Sequence, residues 1–340
     1  MNSSRLLKCA GAVAALAIVS ACAGGSAVAP STGAFDAKYV GRTLFVNGRP
    51  VTAARINPLP SYANLVPMKK AKSKDYEYIF NEYGTYASMF NYPKNTKQVG
   101  QIYGAGGQGC SNVLFGYGNK IIWNVGGPTQ IDEYQVPSNT LLKTLSVNYS
   151  FASSCGMDTN GDLAVGILYG TYYGTGGQVV IFKNATGTGT AYKTPLDEEF
   201  FNGYDTQGNL FADGFTGDRV GFALVELPKG SSKAVTIATS NSPSFPGSVQ
   251  WDGTYMTVFD QNTSETYRYA ISGTKATLKH TVHYNGASDC AQTWIVPGLM
   301  YCGDAGNGGG EVFKYPAGGS PVAIFSGSFD VPLGVTAAKK

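Results

Sequence analysis

YIFNEYG from Tyr78, IIWNVGG from Ile121, LAVGILYG from Leu163, LFADGFTG from Leu210, YMTVFDQ from Tyr255 and LMYCGDAG from Leu299 are six apolar runs that recur every 42 to 47 residues. Each is followed about ten residues later by a second strand-like run: SMFNYP at 88–93, IDEYQVP at 131–137, VVIFK at 179–183, ALVELPKG at 223–230, TYRYAISG at 266–273 and EVFKYPAGG at 311–319. A third run then follows, as in QVGQIYG at 98–104, AVTIA at 234–238 and PVAIFSG at 321–327. A fourth precedes each start, clearest in CGMDTNGD at 155–162, GYDTQGN at 203–209 and SVQWDGT at 248–254. Four strands in about 44 residues is the size of one β-propeller blade. Helical repeats of similar length would show a 3.6-residue apolar period, which is absent here.

The ends of the chain decide how such a ring would close. The last repeat continues past its third strand into Pro332-Leu333-Gly334-Val335-Thr336-Ala337-Ala338, which matches Pro246-Gly247-Ser248-Val249 and reads as an inner strand. The first repeat, beginning near Tyr76, has no inner strand of its own. The reading is therefore an all-β, six-bladed β-propeller closed by the C-terminal strand, which leaves no free strand edge at the closure. Ahead of it, Thr43 to Val46, Asn47-Gly48 and Arg49 to Ala54 read as a hairpin with a type I′ turn.

Composition agrees. Charged residues are 14 % of the 340, with 45 Gly and 22 Tyr, which suits short strands and tight turns. The formal charge is +3, and Arg5 and Lys8 account for two of those positive charges. No basic cluster of the kind that neutralises phosphates exists, so nucleic acid is excluded as a partner.

Met1 to Lys8 is basic and Cys9 to Val19 is a short apolar run, too short to span a bilayer. Val19-Ser20-Ala21-Cys22 resembles the bacterial lipobox, in which the cysteine is lipidated and becomes the new N-terminus. Residues 1–21 are then a signal peptide, 22–75 a tether and N-terminal extension, and 76–340 the propeller. The expected location is the bacterial cell envelope, through a membrane-anchored lipoprotein. The alternative is ordinary cleavage after Ala21-Cys22-Ala23 and a secreted or periplasmic protein.

Four further cysteines, Cys110, Cys155, Cys290 and Cys302, suggest disulfides in an oxidising compartment. Cys110 and Cys155 open the inner strands of consecutive blades, and Cys290 and Cys302 flank the turn at Pro297-Gly298. The favoured pairings are Cys110–Cys155 and Cys290–Cys302, with four buried free thiols as the alternative. Symmetric pairing about that turn puts Cys290 opposite Asp304 or Ala305 rather than Cys302, so the second bond needs a bulge.

The segments GYDTQGNLFADG, ELPKGS, FPGSVQWDGTYM, GASDC and DAG, followed by VFKYPAGGSP, resemble a group of bacterial exported propellers related to NHL-repeat and TolB-like six-bladed folds. The resemblance runs from about residue 76 to the end. It implies the fold and an envelope location, and it implies no activity.

The chemistry is sparse. Glu198, Glu199, Asp260, Asp289 and Asp304 fall in loops of one propeller face. They are the candidate ligand face, either as oxygen ligands for a divalent cation such as calcium or as plain loop acids and turn formers. Asp158, Asp205 and Asp252 recur where the chain leaves an inner strand, and there Asp caps a turn through its own backbone. Trp123, Tyr172, Tyr173, Tyr204, Trp251 and Trp294 offer a sugar platform or packing between blades. His280 and His283, three apart on a strand, point to opposite faces and serve no common site. The expected function is an envelope-anchored, monomeric binding or scaffolding propeller for a protein or glycan, with no catalytic residues and no cofactor. The alternative is a channel-site, metal-dependent hydrolase of the lactonase kind.

Overall fold

The computed structural model describes residues 43–46, 49–52, 75–81, 86–125, 129–147, 151–168, 176–216 and 221–339. The expected signal peptide over residues 1–21, Cys22, and Tyr172 and Tyr173 lie outside the described residues. Two short strands of the N-terminal extension are described, β1 (Thr43–Val46) and β2 (Arg49–Thr52). They pair antiparallel from Thr43↔Thr52 to Val46↔Arg49, the register of a two-residue hairpin.

The strands that follow fall into runs in which consecutive strands pair antiparallel. β3 (Asp75–Asn81), β4 (Tyr86–Asn91) and β5 (Asn95–Tyr103) form the first. β6 (Gln108–Ser111), the two-residue β7 (Gly118–Asn119), β8 (Ile121–Val125), β9 (Gln130–Gln135) and β10 (Thr140–Ser146) come next, with the sheet order β10-β9-β8-β6. β11 (Ala152–Met157), β12 (Leu163–Ile167), β13 (Gln178–Phe182) and β14 (Thr190–Lys193) form a four-stranded sheet in chain order.

β15 (Glu198–Tyr204), β16 (Leu210–Thr216), β17 (Gly221–Leu227) and β18 (Val235–Thr239) share an eight-stranded sheet with β19 (Val249–Trp251), β20 (Met256–Asp260), β21 (Glu265–Ser272) and β22 (Lys275–His283). Their backbone ladder is a parallel one of two residue pairs, Ala238↔Lys275 and Thr239↔Ala276. β23 (Cys290–Val296), β24 (Leu299–Asp304), β25 (Gly309–Lys314) and β26 (Ala323–Phe325) form another four-stranded sheet, and β27 (Pro332–Lys339) returns to the start.

Burial runs in a gradient across each run. Every residue of β11, β15 and β23 is buried, whereas β10, β14 and β22 at the far edges are mostly exposed. The inner strands therefore bury small and apolar residues together with hydrogen-bonded polar ones such as Asn202 and Gln292, while the outer ones mix in exposed Lys and Thr. β6, β11, β15 and β19 lie side by side in that order, and β27 lies between β23 and β6. The gap between β19 and β23 is bridged by Gln250, whose side chain bonds both backbone groups of Ile295, at 2.7 and 3.1 Å. The molecule is an all-β, propeller-like arrangement of sheets around an axis. The apolar cores lie between neighbouring sheets, as in the cluster of Ile79, Trp123, Val165, Val296 and Val335.

β27 pairs with β3 from Pro332↔Asn81 to Lys339↔Asp75, so the C-terminal strand supplies the inner strand that the first run lacks. Its passage beside the lead-in to β6 is close. A Cβ on Gly334 would stand 2.3 Å from the Gly107 carbonyl oxygen, so only glycine fits there.

Both disulfides are present. Cys110 on β6 joins Cys155 on β11 with Cα atoms 5.7 Å apart, and Cys290 on β23 joins Cys302 on β24 with Cα atoms 5.6 Å apart. The second follows from a bulge. Cys290 faces Asp304 and Thr293 faces Cys302, so Ala291 and Gln292 together oppose Gly303 alone. The bulge shifts the register and leaves the two cysteines as diagonal neighbours within bonding reach. Cys110–Cys155 ties together inner strands of different sheets, so it constrains the ring and not merely one hairpin. Replacing both Cys110 and Cys155 by Ser is expected to lower the unfolding free energy by about 2–4 kcal/mol, read from denaturant titration, with a steeper slope because the unfolded chain without the crosslink is more expanded.

Candidate functional site

The axis is crowded rather than open. A Cβ on Gly203 of β15 would lie 2.3 Å from the Val249 carbonyl oxygen, so these two inner strands touch backbone to backbone. Polar side chains bond the inner strands sideways. Gln292 accepts from the backbone N–H groups of Gly109 and Val335, at 3.1 and 3.0 Å, and donates to the Gly109 carbonyl at 2.6 Å. Ser248 accepts from the Thr293 N–H at 2.6 Å, and Asn202 donates to Ser154 at 2.7 Å. These bonds satisfy polar groups that burial at the axis would otherwise leave costly.

One end of the axis is covered by residues 112–119, between β6 and β8. The base of this loop is pinched by Asn112, whose Oδ1 accepts from the Asn119 N–H at 2.7 Å and whose Nδ2 donates to the Asn119 carbonyl at 3.2 Å. From there it reaches sheet after sheet. Leu114 packs with Tyr204 and Leu210, and Phe115 lies against Gly253. The Gly116 carbonyl accepts from Trp294 Nε1 at 2.9 Å, Tyr117 shares a 2.8 Å hydrogen bond with Tyr301, and Gly118 and Asn119 pair with Ala338 and Lys339. Above this loop sits a small cavity of about 20 Å3, walled by β11, β15, β19 and β23 and floored by Val113 and Leu114.

The acidic residues named from sequence gather at the opposite end, where inner strands begin and second strands end. They do not form a common cage. Asp304 accepts backbone N–H bonds from Ser288, Asp289 and Asn307, at 2.8, 3.1 and 2.9 Å. Asp260 accepts from the N–H groups of Ser244 and Asn262, at 2.6 and 2.9 Å. Glu199 accepts from Ser153 Oγ at 2.9 Å and Asn202 Nδ2 at 3.4 Å. All five, Glu198 and Asp289 included, are buried. Among the described residues, the one trio of possible ligand atoms lying within 4.8 Å of one another is Cys290, Cys302 and Asp304, and both of its sulfurs belong to the disulfide.

A repeat-linked role emerges that the sequence reading missed. Asn81, Asn124, Asp213, Asp260 and Asp304 hold the same place, at or near the end of the second strand, and each bonds the chain leading into an inner strand. Asn81 accepts from the Asp330 N–H at 3.0 Å, Asn124 donates to the Gly106 carbonyl at 2.7 Å, and Asp213 accepts from Phe201 and Gly247 at 3.1 and 2.9 Å. The signal was in print: the quoted runs place Asn or Asp directly after YIF, IIW, LFA, TVF and YCG.

The other recurring aspartates are turn caps. Asp158 Oδ1 accepts from Asn160 and Asp162 N–H, both at 2.8 Å, and Asp205 Oδ1 from Gln207 and Asn209, at 2.8 and 2.9 Å. Asp252 does the same for Thr254 and Tyr255, and its second oxygen also holds Arg268 at 2.7 Å and the Tyr315 hydroxyl. His283 bonds Glu265 at 2.6 Å, while His280 lies beside Tyr255, on the other face of β22. Trp123, Tyr204 and Trp294 are buried between sheets, so they pack and present no stacking surface.

Burial of carboxyl groups has an electrostatic cost. Desolvation lifts Glu199 to about 8, against its hydrogen bonds to Ser153, Asn202 and Ser154, which pull the other way. Desolvation lifts Asp289 to about 7, helped by the nearby Asp304 charge, and Glu311 to about 7, again with Asp304 adding to it. Asp213 is raised well above the carboxylate range, first by burial.

No protein-family profile matches the chain, and no curated protein matches it in sequence. Solved structures do. The nidogen/laminin complex contains a chain similar to this one with a TM-score of 0.60 at 9 % identity, over 78 % of this chain and 98 % of that one. A functionally unknown protein from Desulfotomaculum acetoxidans DSM 771 aligns with a TM-score of 0.49 at 12 % identity, over 79 % of this chain and 90 % of its own. The first similarity shows a propeller-like fold and nothing of activity.

The raised carboxyls set the sign of the pH dependence. The folded state holds these protons more tightly than the unfolded chain, so their contribution is complete below about pH 4 and is lost as pH climbs through 7 and 8. Calorimetry at constant ionic strength should show Tm rising from pH 8 to pH 5.5, by about 2–4 °C per kcal/mol recovered in a domain of this size.

Proposed function

We propose that the chain is a six-bladed propeller of the bacterial cell envelope that binds or scaffolds a protein or glycan on the end of the ring opposite residues 112–119. The blade count takes the two-pair ladder between β18 and β22 as a contact between blades, and β27 with β3, β4 and β5 as one blade. The observation that carries the reading is the filled axis. Inner strands that touch through Gly203 and Gly334, with a loop across one end, leave a rigid end face as the surface on offer. Loops held on a rigid scaffold are the usual place for recognition. The similar chain was solved as part of the nidogen/laminin complex, which accords with a recognition role for this architecture. The acids near that face are engaged with backbone and side-chain donors, and this favours binding over metal-assisted hydrolysis.

Two disulfides fit an oxidising, exported compartment. With them goes the proposed layout: an export signal over residues 1–21, lipid on Cys22, a tether over 22–75, and a monomeric ring beyond.

Photo-crosslinker placed at Ser242, on the proposed binding end, should capture a saturable partner from envelope extract, while the same group at Thr254, on the covered end, should not; the reverse pattern sinks the assignment of the face. Separately, Cys22→Ala should move the protein from the membrane to the soluble fraction and abolish incorporation of labelled fatty acid.

A further inference from the structure

Five second strands carry Asn or Asp at the position that bonds the lead-in to an inner strand, and β12 carries Gly166 there. The space is not empty. A Cβ on Gly166 would lie 2.0 and 2.5 Å from the two carboxylate oxygens of Glu199, and 2.4 Å from Ser154 Oγ. Glu199 belongs to β15, in the next sheet. Its carboxyl bonds Ser153 at 2.9 Å, at the bulge that opens β11, and its backbone N–H donates to the Leu168 carbonyl at 3.2 Å. A Cβ on Gly177 would stand 2.7 Å from the Glu199 Cβ, so a second glycine clears the path of this side chain.

We infer that Glu199 is the missing carboxyl of the β11–β14 sheet, supplied from its neighbour, and that it makes the joint between these sheets the proton-sensitive seam of the ring. In the other sheets the bonding group is an uncharged Asn or an Asp that accepts backbone N–H groups, the longest-reaching being Asp213, which joins β16 to the Gly247 N–H ahead of β19. Here one ionisable side chain holds two sheets together. Among the described residues, its hydrogen-bond partners are uncharged. β11 presents Ser153 and Ser154, β12 and the residue after it present Gly166 and Leu168, and its own strand presents Asn202 and, next to it, Glu198. From β16 the facing titratable group is Asp213, which in turn feels Asp260 on β20. Those titratable neighbours are all acids, so ionisation of Glu199 adds a charge beside others of the same sign in a dry joint. Protonation removes it, in keeping with the displacement of Glu199 to about 8 by burial.

Opening the joint to water lets Glu199 ionise, so opening becomes easier as pH rises. Native-state hydrogen exchange on the full chain tests this, with rates corrected for intrinsic base catalysis. Amides at 166–168 and 199–202 should exchange up to about tenfold faster per pH unit between pH 5.5 and 8, relative to those of β20 and β21. In Glu199→Gln the same amides should lose that dependence and keep their protection at pH 5.5. A Glu199→Gln protein that retains the wild-type dependence, or that loses protection at pH 5.5, overturns the seam. The positional claim has its own test. Gly166→Asn and Glu199→Ala should each lower Tm, and the double variant should be more stable than Gly166→Asn alone. A double variant no more stable than that single variant, unfolded included, overturns the equivalence.

Discussion

The antiparallel ladder between β27 and β3 is the constraint on which the rest of the molecule depends. It joins residues 332–339 to residues 75–81, nearly the whole described body apart in sequence. Every other sheet is assembled largely from neighbours along the chain, at small entropic cost. This one requires the ends of the body to meet, and it recovers that cost by removing an exposed inner edge from β3. Tyr78, Val335 and Ala337, buried at this ladder, then complete apolar clusters that reach into neighbouring sheets. The closing strand thus completes cores belonging to sheets it does not pair with.

Closing a ring this tightly leaves little room at the axis, and the chain answers with glycine and with polar side chains aimed sideways. Gln250 and Gln292 replace backbone partners that inner strands of different sheets cannot give each other, because those strands are not in a common ladder. A buried glutamine satisfied at both ends is worth its desolvation, whereas one left half-bonded is not. The carboxyls at the end opposite residues 112–119 follow the same rule. Asp304 and Asp260 draw two or three N–H donors each, so their charge serves the loops that lead into the inner strands.

Much of the strand layout was legible because burial is graded from axis to rim. The apolar runs from Tyr78, Ile121, Leu163 and Leu210 became second strands, and the alternating runs beyond them became third and fourth ones. Both cysteine pairings were also readable, the first from strand order alone and the second only with the bulge at Ala291 and Gln292. The acids were visible but not their use. A sequence shows that Glu199 sits near the start of an inner strand; it does not show that Gly166, 33 positions earlier, leaves the volume that Glu199 fills. Asn81 and Asn124 went unread for a related reason. As the last residue of an apolar run, each looks like a strand terminator until the chain it bonds is placed beside it.

The loop at 112–119 shows the limit of local reading in its sharpest form. In β11, β15 and β19 the chain turns back through a short cap built on Asp158, Asp205 or Asp252, and those turns carry their own hydrogen bonds. β6 stops after four residues, and the chain that follows has no such cap. Its backbone groups are satisfied by Ile295, by Trp294 and by Lys339, residues from the far side of the ring and from its closing strand. Within NVLFGYGN only the Asn112–Asn119 bonds at the base are local, and the partners that hold the loop across the axis arrive only after the ring has closed. The covered end of the axis is therefore a product of closure, and any substitution that loosens β27 from β3 also withdraws one of the supports that hold the loop across it.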